Sequence, residues 1–273
     1  MMMRAVALTA MCLLSAALYA QAPAEQAAAA QQRWSDLQKA IFPNRTLKDG
    51  EDVIALEAPP RALDAALVPF TVSTTGTKPV KKLHLIIDNN PGPLAGRFTF
   101  GEAADPSQLK VRMRVNTYTS VHAVAEDASG ELYSVEKFVK ASGGCSAPAG
   151  SNDPKALLSM GEMRFKLLSK VTLGKPVQAQ LMIRHPNFNG MQMDQVTRHY
   201  TPAHFIRTID ITYGDQSVMH VDSDIALSTD PVITFGFIPR QNGKLKVLVS
   251  DSKGKQFEQS FDVAATEQVS EAL

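Results

Sequence analysis

Residues 109–115 read Leu-Lys-Val-Arg-Met-Arg-Val, and this alternation of apolar and basic side chains decides the fold class. A period of two places successive side chains on opposite faces of an extended strand, so one face is buried and the other is exposed. The same period occurs at 68–72 and 83–87, and it returns at 163–167 and 177–183. Because the pattern fills both halves of the chain, the sequence predicts an all-β protein.

Further strands of this kind are predicted along the chain, and turn signals separate them at intervals of roughly 8 to 12 residues. That spacing is typical of an antiparallel sandwich, and no alternation of strands with helices competes with it. A short helix is predicted over 33–42, with Trp34, Leu37 and Ile41 on one face. The additional strands lie at 121–126, 132–140, 205–213, 217–221, 232–238, 244–250 and 256–263.

Residues 141–153 break the strand pattern. They read Ala-Ser-Gly-Gly-Cys-Ser-Ala-Pro-Ala-Gly-Ser-Asn-Asp, which offers no large apolar side chain. Such a composition is typical of a flexible linker, so we expect two β-sandwich domains joined at this point. The expected organisation is a signal peptide at 1–20, a disordered or weakly helical leader at 21–32, a first sandwich at 33–144, an arm and linker at 145–160, and a second sandwich at 161–273.

The N-terminus predicts export. Arg4 precedes an apolar run at 5–18, which suits a signal peptide and is too short to span a bilayer comfortably. We expect cleavage after Ala20 or Ala24, a periplasmic mature protein, and no membrane insertion by later segments. The formal net charge of the whole chain is +1, which gives no electrostatic reason to expect nucleic acid as a partner.

Cleavage removes Cys12 and leaves Cys145 as a lone thiol in an oxidising compartment. A lone cysteine is usually buried, but its small flanking residues bring no apolar cover, so we expect an exposed thiol on a moving arm. Gly143 and Gly144 are the residues expected to give that arm its flexibility. No histidine lies between His122 and His185 to act as a nearby base, so the thiol is interpreted as an attachment point rather than a catalyst.

An ordered set of motifs resembles a known pair of proteins. Residues 52–148 resemble SoxY, the sulfur-carrying subunit of the periplasmic Sox sulfur-oxidation system, and residues 163–263 resemble its partner SoxZ. Together the motifs cover nearly all of the expected mature chain. They are Val53–Pro59, Ile87–Pro93, Val111–Arg114 and Gly143-Gly144-Cys145 in the first segment, and Ile183–Pro186, Thr201–Ile206 and Ser228–Pro231 in the second.

The resemblance implies a periplasmic carrier and not an enzyme. It implies immunoglobulin-like antiparallel sandwiches that pack together, no cofactor, and a sulfur intermediate derived from thiosulfate held covalently on Cys145. Separate sulfur-oxidation enzymes, of the c-type cytochrome and thiosulfohydrolase types, would attach, oxidise and hydrolyse that cargo. The alternative is a non-covalent adaptor or binding protein associated with a periplasmic quinoprotein dehydrogenase system.

Two departures from the SoxY pattern affect the mechanics. SoxY normally ends just after a Gly-Gly-Cys-Gly-Gly arm, whereas here Ser146-Ala147-Pro148 follows and the chain continues. The arm is therefore tethered at both ends. The twin-arginine leader usual for SoxY is also missing, and both features fit a fused SoxYZ-like branch associated with quinoprotein alcohol dehydrogenase systems.

Two other groups of residues have alternative interpretations. His185, His199 and His204 with Asp194 suggest a metal site, but their spacing is irregular, so no metal site is predicted. Lys110, Arg112 and Arg114 could attract an anionic cargo or an acidic partner. A solvated strand face is the default interpretation of these basic residues.

Overall fold

The computed structural model describes residues 25–147, 157–194 and 197–265. The predicted signal peptide at 1–20 and most of the predicted linker therefore lie outside the described residues. A helix occupies residues 25–41, so the predicted short helix is present. It also includes 25–32, part of the leader at 21–32 that was expected to be disordered or weakly helical, and these residues are helical. No helix in the described ranges is long and apolar enough to cross a membrane.

From Thr46 onward the chain forms one unit made of strands. Every strand predicted from the period of two is present, and three further strands are β1, β2 and β5. The strands are β1 (Leu47–Asp49), β2 (Ile54–Glu57), β3 (Val68–Thr74), β4 (Val80–Ile87), β5 (Leu94–Phe100), β6 (Ala104–Met113), β7 (Thr119–Asp127), β8 (Leu132–Val139), β9 (Met163–Leu167), β10 (Val177–Ile183), β11 (Ile206–Tyr213), β12 (Gln216–Ser223), β13 (Val232–Phe237), β14 (Gly243–Asp251) and β15 (Gln256–Val263).

These strands form two layers. The nine-stranded sheet has the order β1-β8-β7-β4-β5-β12-β11-β14-β15, and the six-stranded sheet has the order β2-β3-β6-β13-β10-β9. Neighbouring strands are antiparallel except for β1, which pairs with β8 in parallel. Strand β10 shows why the layers pack: Val177, Ala179, Leu181 and Ile183 are fully buried, and the residues between them are not. The all-β sandwich architecture predicted from the sequence is confirmed.

Both sheets continue from the first half of the chain into the second. In the nine-stranded sheet β5 pairs with β12, with Phe100 opposite Met219 and Gly96 opposite Ser223. In the six-stranded sheet β6 pairs with β13. One cluster of buried apolar side chains extends through both halves. The sequence predicts two domains that pack together, and it contains no sign that the two halves share hydrogen-bonded sheets in both layers.

Candidate functional site

Cys145 lies in a turn that follows β8, and it is the free cysteine of the described chain. The thiol residue is only 1% exposed, so the expectation of an exposed thiol is wrong for this conformation. Its own flanks supply no apolar cover, as the sequence indicates. The cover comes instead from segments near Ala65, Val115 and Asn189, which the fold brings around the turn.

Hydrogen bonds of the backbone hold this turn against the end of β6. The Gly143 N–H donates to the Asn116 carbonyl at 2.7 Å, and the Gly144 N–H donates to the Val115 carbonyl at 3.1 Å. A further bond closes the turn on itself, because the Ala147 N–H donates to the Gly143 carbonyl at 2.8 Å. Residues 143–147 in this position are the docked arm.

Two side chains from outside the arm bind its carbonyl groups on either side of the thiol. Asn189 donates from Nδ2 to the Cys145 carbonyl at 2.7 Å. Arg114 donates from Nη1 to the Gly144 carbonyl at 3.3 Å and from Nη2 to Thr229 Oγ1 at 2.7 Å. Since Asn189 and Thr229 belong to the second half of the chain, both halves hold the arm in place.

The docked conformation itself requires both glycines of the arm. Gly143 has a φ of +76°, a backbone region that other residues adopt only with strain. A Cβ on Gly144 would lie 2.1 Å from the Ala65 carbonyl oxygen and 2.5 Å from the Val115 carbonyl oxygen. These glycines therefore allow close docking, and their predicted role in arm flexibility stays a prediction.

Burial keeps the docked thiol in its protonated form. It raises the pKa of Cys145 from 9.0 to about 11, although the nearby Arg114 guanidinium favours the thiolate and opposes the shift. Burial also lowers the pKa of Arg114, while Cys145 and Asp64 act in the opposite direction. Because the thiolate is the nucleophile, the docked arm protects Cys145 from reaction at neutral pH.

Arg114 departs from the solvated strand face expected for the three basic residues of this region. Lys110 and Arg112 are exposed, but Arg114 is only 1% exposed. The reason is that β6 ends at Met113, so the alternation of faces ends there and the next residue turns beneath the docked arm. Arg114 therefore belongs to the candidate site, and the sequence pattern did not reveal its burial.

Replacing Asn189 by aspartate is expected to loosen the docked arm. Asn189→Asp keeps the oxygen that accepts the Met191 N–H but removes the donor to the Cys145 carbonyl. Loss of one buried hydrogen bond costs about 1 to 3 kcal/mol, so alkylation of Cys145 should become at least about fivefold faster. The rate is measured with iodoacetamide at neutral pH. Asn242→Asp is the control, since its oxygen accepts the Ala265 N–H in both forms, and equal rates in the two variants would contradict the role of Asn189.

Only two of the three histidines considered as a metal site from the sequence lie together in the structure. His185 and His204 contact each other, with ring centroids 5.0 Å apart, and the third member of the cluster is Asp251. His199 and Asp194 do not belong to it. Asp251 was not predicted as a member, because it ends β14 far along the chain, and its local signal is the turn that follows it.

The hydrogen bonds of this cluster favour a structural role over a metal site. The Asn187 N–H donates to Nδ1 of His185 at 3.1 Å, so the neutral ring carries its proton on Nε2 and has no free lone pair there for a metal. That nitrogen lies 3.7 Å from Asp251 Oδ2, which also contacts His204 Nε2 at 2.6 Å. The other carboxylate oxygen accepts the N–H groups of Lys253 and Lys255. The cluster therefore joins the turn after β14 to the loops before β11.

The buried His185 is expected to make the protein less stable in acid. Burial and the neighbouring His204 lower the pKa of His185 from 6.5 to about 4, against the opposing effect of Asp251. Between pH 4 and pH 6.5 the unfolded chain binds more protons than the folded chain. The contribution of neutral His185 to the free energy of unfolding is therefore complete above about pH 6.5 and falls by about 3 kcal/mol as the pH drops to 4. Urea unfolding at about pH 7 and about pH 4.5 measures the loss. His185→Gln should reduce it and the exposed His199→Gln should not; an equal loss in both variants would show that another group is responsible.

Two family comparisons match separate parts of the chain. Residues 38–145 match the family described as sulfur oxidation protein SoxY, and residues 164–262 match the family described as sulphur oxidation protein SoxZ. The first match ends at Cys145. A comparison with curated proteins finds no match.

Solved structures give weaker likenesses. The sulfur carrier protein SoxY from Chlorobium limicola f thiosulfatophilum is 22% identical, with a TM-score of 0.37 over 43% of this chain and 98% of that chain. A beta-glycosidase from Bacteroides vulgatus is 10% identical, with a TM-score of 0.24 over 77% of this chain and 24% of that one. The SGBP-B protein of a Bacteroides ovatus mixed-linkage glucan utilization locus is 11% identical, with a TM-score of 0.22 over 82% and 46%. All three TM-scores are low, so none of them bears on function.

Proposed function

The chain is a SoxY domain joined to a SoxZ domain, and from this premise we propose that it is a covalent carrier of sulfur intermediates with Cys145 as the attachment point. The observation that supports this most is the position of the thiol. Cys145 is the last residue of the SoxY match and lies on a short turn held by few side chains. No other free cysteine is present in the described residues.

The proposed cargo derives from thiosulfate, and separate enzymes carry out the chemistry. In the loading step the terminal sulfur of thiosulfate forms an S–S bond with Sγ of Cys145, the thiol loses its proton, and a pair of electrons passes to a c-type cytochrome. In the release step a thiosulfohydrolase adds water across the bond between the cargo sulfur and its SO₃ group. Sulfate leaves, and a persulfide remains on Cys145.

Docking and release of the arm divide this cycle into two states. The docked thiol is protonated and covered, so a partner enzyme must engage an arm that has left its position beside Val115. Because the chain continues into the second half, release opens a loop tethered at both ends. We propose that partner enzymes bind across both halves, where the arm is held by Arg114 and Asn189.

The proposed location is the periplasm, following cleavage of the signal peptide at 1–20. An oxidising compartment suits a protein whose mature form has one cysteine, since that thiol has no partner within its own chain.

A second candidate function is a non-covalent adaptor for a periplasmic quinoprotein dehydrogenase system. The burial of Cys145 favours it, because a structural cysteine is inert and covered in the same way. On that hypothesis the thiol contributes only packing.

The mass of the intact protein distinguishes the two functions. Protein is purified from the exported fraction of cells oxidising thiosulfate, and its mass is measured before and after treatment with a thiol reductant. The carrier function predicts sulfur-containing adducts that the reductant removes, on a chain that begins after residue 20 or 24. An unmodified thiol throughout, together with co-purification of a dehydrogenase, would support the adaptor instead.

A further inference from the structure

The arm docks on three residues that follow β6, and residues 114–116 are the docking segment. Its carbonyl groups at Val115 and Asn116 accept the N–H groups of Gly144 and Gly143. β6 ends before these residues, so the regular ladder of the six-stranded sheet does not fix them. The positions of the two carbonyl groups therefore depend on what holds the rest of the docking segment.

The side chain of Asn90 holds the docking segment at two points. Its Nδ2 donates to the Arg114 carbonyl at 2.8 Å, and its Oδ1 accepts the Asn116 N–H at 2.9 Å. One amide thus binds the backbone on both sides of Val115, as a neighbouring strand would. Asn90 is only 5% exposed, so solvent cannot readily replace these two bonds when the side chain is removed.

Asn90 and the arm bind opposite ends of one peptide group. The Val115 carbonyl and the Asn116 N–H belong to the same peptide plane. Asn90 accepts from this N–H, and the Gly144 N–H of the arm donates to this carbonyl. Hydrogen bonds in such a chain polarise and strengthen one another. Loss of the Asn90 side chain should therefore weaken the bond that the arm makes.

The turn that carries Asn90 is itself held firmly between β4 and β5. The Asn90 N–H donates to the Ile87 carbonyl at 3.0 Å, and the Ile87 N–H donates to the Pro93 carbonyl at 2.8 Å. The buried Asp88 also contacts His122 on β7, with Oδ2 3.2 Å from Nε2. Because these bonds fix the turn, the Asn90 amide is a stable support for the docking segment.

The same turn reaches the second half of the chain. A Cβ on Gly92 would lie 2.9 Å from Asp224 Oδ2 and 3.3 Å from Ile225 Cγ1, so the turn packs against the loop after β12. The next residue of that loop is Ala226, whose carbonyl accepts the Arg114 N–H at 2.7 Å. The docking segment is therefore held from both halves of the chain.

We infer that Asn90 is a positioning residue of the carrier, because it aligns the two carbonyl groups that bind the arm. It thereby sets the fraction of the protein in which Cys145 is docked. The inference rests on the proposed carrier function. Since the released thiol is the reactive one, Asn90 restrains its reaction until a partner enzyme engages the arm.

Alkylation of the thiol tests this inference without cargo or partner. Iodoacetamide is added to the reduced full-length protein at several pH values, and intact mass gives the rate. At neutral pH Asn90→Ala should react at least about tenfold faster than the natural protein, because two buried hydrogen bonds are lost. The pKa of the Cys145 thiol, read from the pH profile, should move from about 11 towards 9.0.

Asn89→Ala is the matched control. Asn89 lies in the same turn, and its Nδ2 donates to the Tyr118 carbonyl at 2.8 Å, outside the docking segment. This variant should react as the natural protein does. Equal rates in Asn89→Ala and Asn90→Ala would overturn the inference.

A double variant separates positioning from a general loss of stability. In Gly144→Ala the added methyl group already prevents docking, so a further change of Asn90→Ala should not accelerate alkylation. Rates that multiply would show that Asn90 acts elsewhere and would overturn the inference. Thermal unfolding reports whether each variant is folded. If Asn90→Ala is not, Asn90→Ser takes its place with the same expected results, since a serine hydroxyl is too short to bind both backbone groups.

The carrier function is judged separately. Iodoacetamide requires neither thiosulfate nor a partner enzyme, so the role of Asn90 in docking stands or falls on these rates. The carrier function stands or falls on whether cells load Cys145 with sulfur.

Discussion

Replacing Cys145 by serine is expected to abolish thiosulfate-dependent electron transfer to the c-type cytochrome. A serine hydroxyl cannot form the S–S bond that links the cargo to the chain, so no residual turnover should exceed that of a reaction without the carrier. The fold should persist, because the bonds that hold the arm at Gly143, Gly144 and the Cys145 carbonyl all use backbone atoms of the arm.

The measurement is cytochrome reduction in extracts of cells that produce the variant in place of the natural protein. Ser146→Ala is the matched control, since it removes only a 3.3 Å contact from Ser146 Oγ to the Gly143 carbonyl. Thermal unfolding confirms that both variants are folded. Activity above about a tenth of the natural level in Cys145→Ser would show that the thiol does not carry the cargo.

Replacing Gly144 by alanine is expected to release the arm and expose the thiol. The added methyl group would lie 2.1 Å and 2.5 Å from two backbone carbonyl oxygens, and neither oxygen is the end of a flexible side chain that can move aside. Release returns the pKa of Cys145 from about 11 towards 9.0. The thiolate population at neutral pH should rise by about a hundredfold, and alkylation should accelerate by a similar factor.

Because the pKa of the docked thiol is raised, docking of the arm depends on pH. The docked arm favours the protonated thiol, so docking is strongest below about pH 9 and weakens as the pH rises towards 11. Alkylation of the natural protein should therefore increase steeply in that window, whereas Gly144→Ala should already titrate near 9. Gly243→Ala is the control, because its methyl group would make only ordinary contact with the Tyr213 ring, 3.4 Å away, in a distant strand. A Gly144→Ala thiol that reacts as slowly as this control would contradict the docking account.

The strand content of this fold was predictable because burial on one face imposes a period of two. β10 and β14 show that period clearly, and both were predicted. β5 was missed, although it is the strand that joins the two halves in the larger sheet. Its sequence follows a turn rich in proline and glycine and contains Gly96, so it lacks the clear alternation of its neighbours. Pairing between strands distant in the chain leaves no local signature.

The candidate site was predictable only in part. Cys145 and its glycines stand out in the sequence because small residues surround them. The burial of the thiol does not, because its cover comes from Arg114, Val115 and Asn189 on other elements. The composition of the flanking residues indicates only what those residues can bury by themselves. It does not describe what the fold brings to them.

The most direct test of the carrier account follows one peptide during thiosulfate oxidation. Trypsin cuts after Lys140 and Lys155, so peptide 141–155 contains Cys145. Samples taken from working cells are quenched in acid and analysed by tandem mass spectrometry. The account predicts that a sulfur adduct appears on Cys145 when thiosulfate is added and disappears once it is consumed. A Cys145 that stays unmodified while thiosulfate is being oxidised would contradict it.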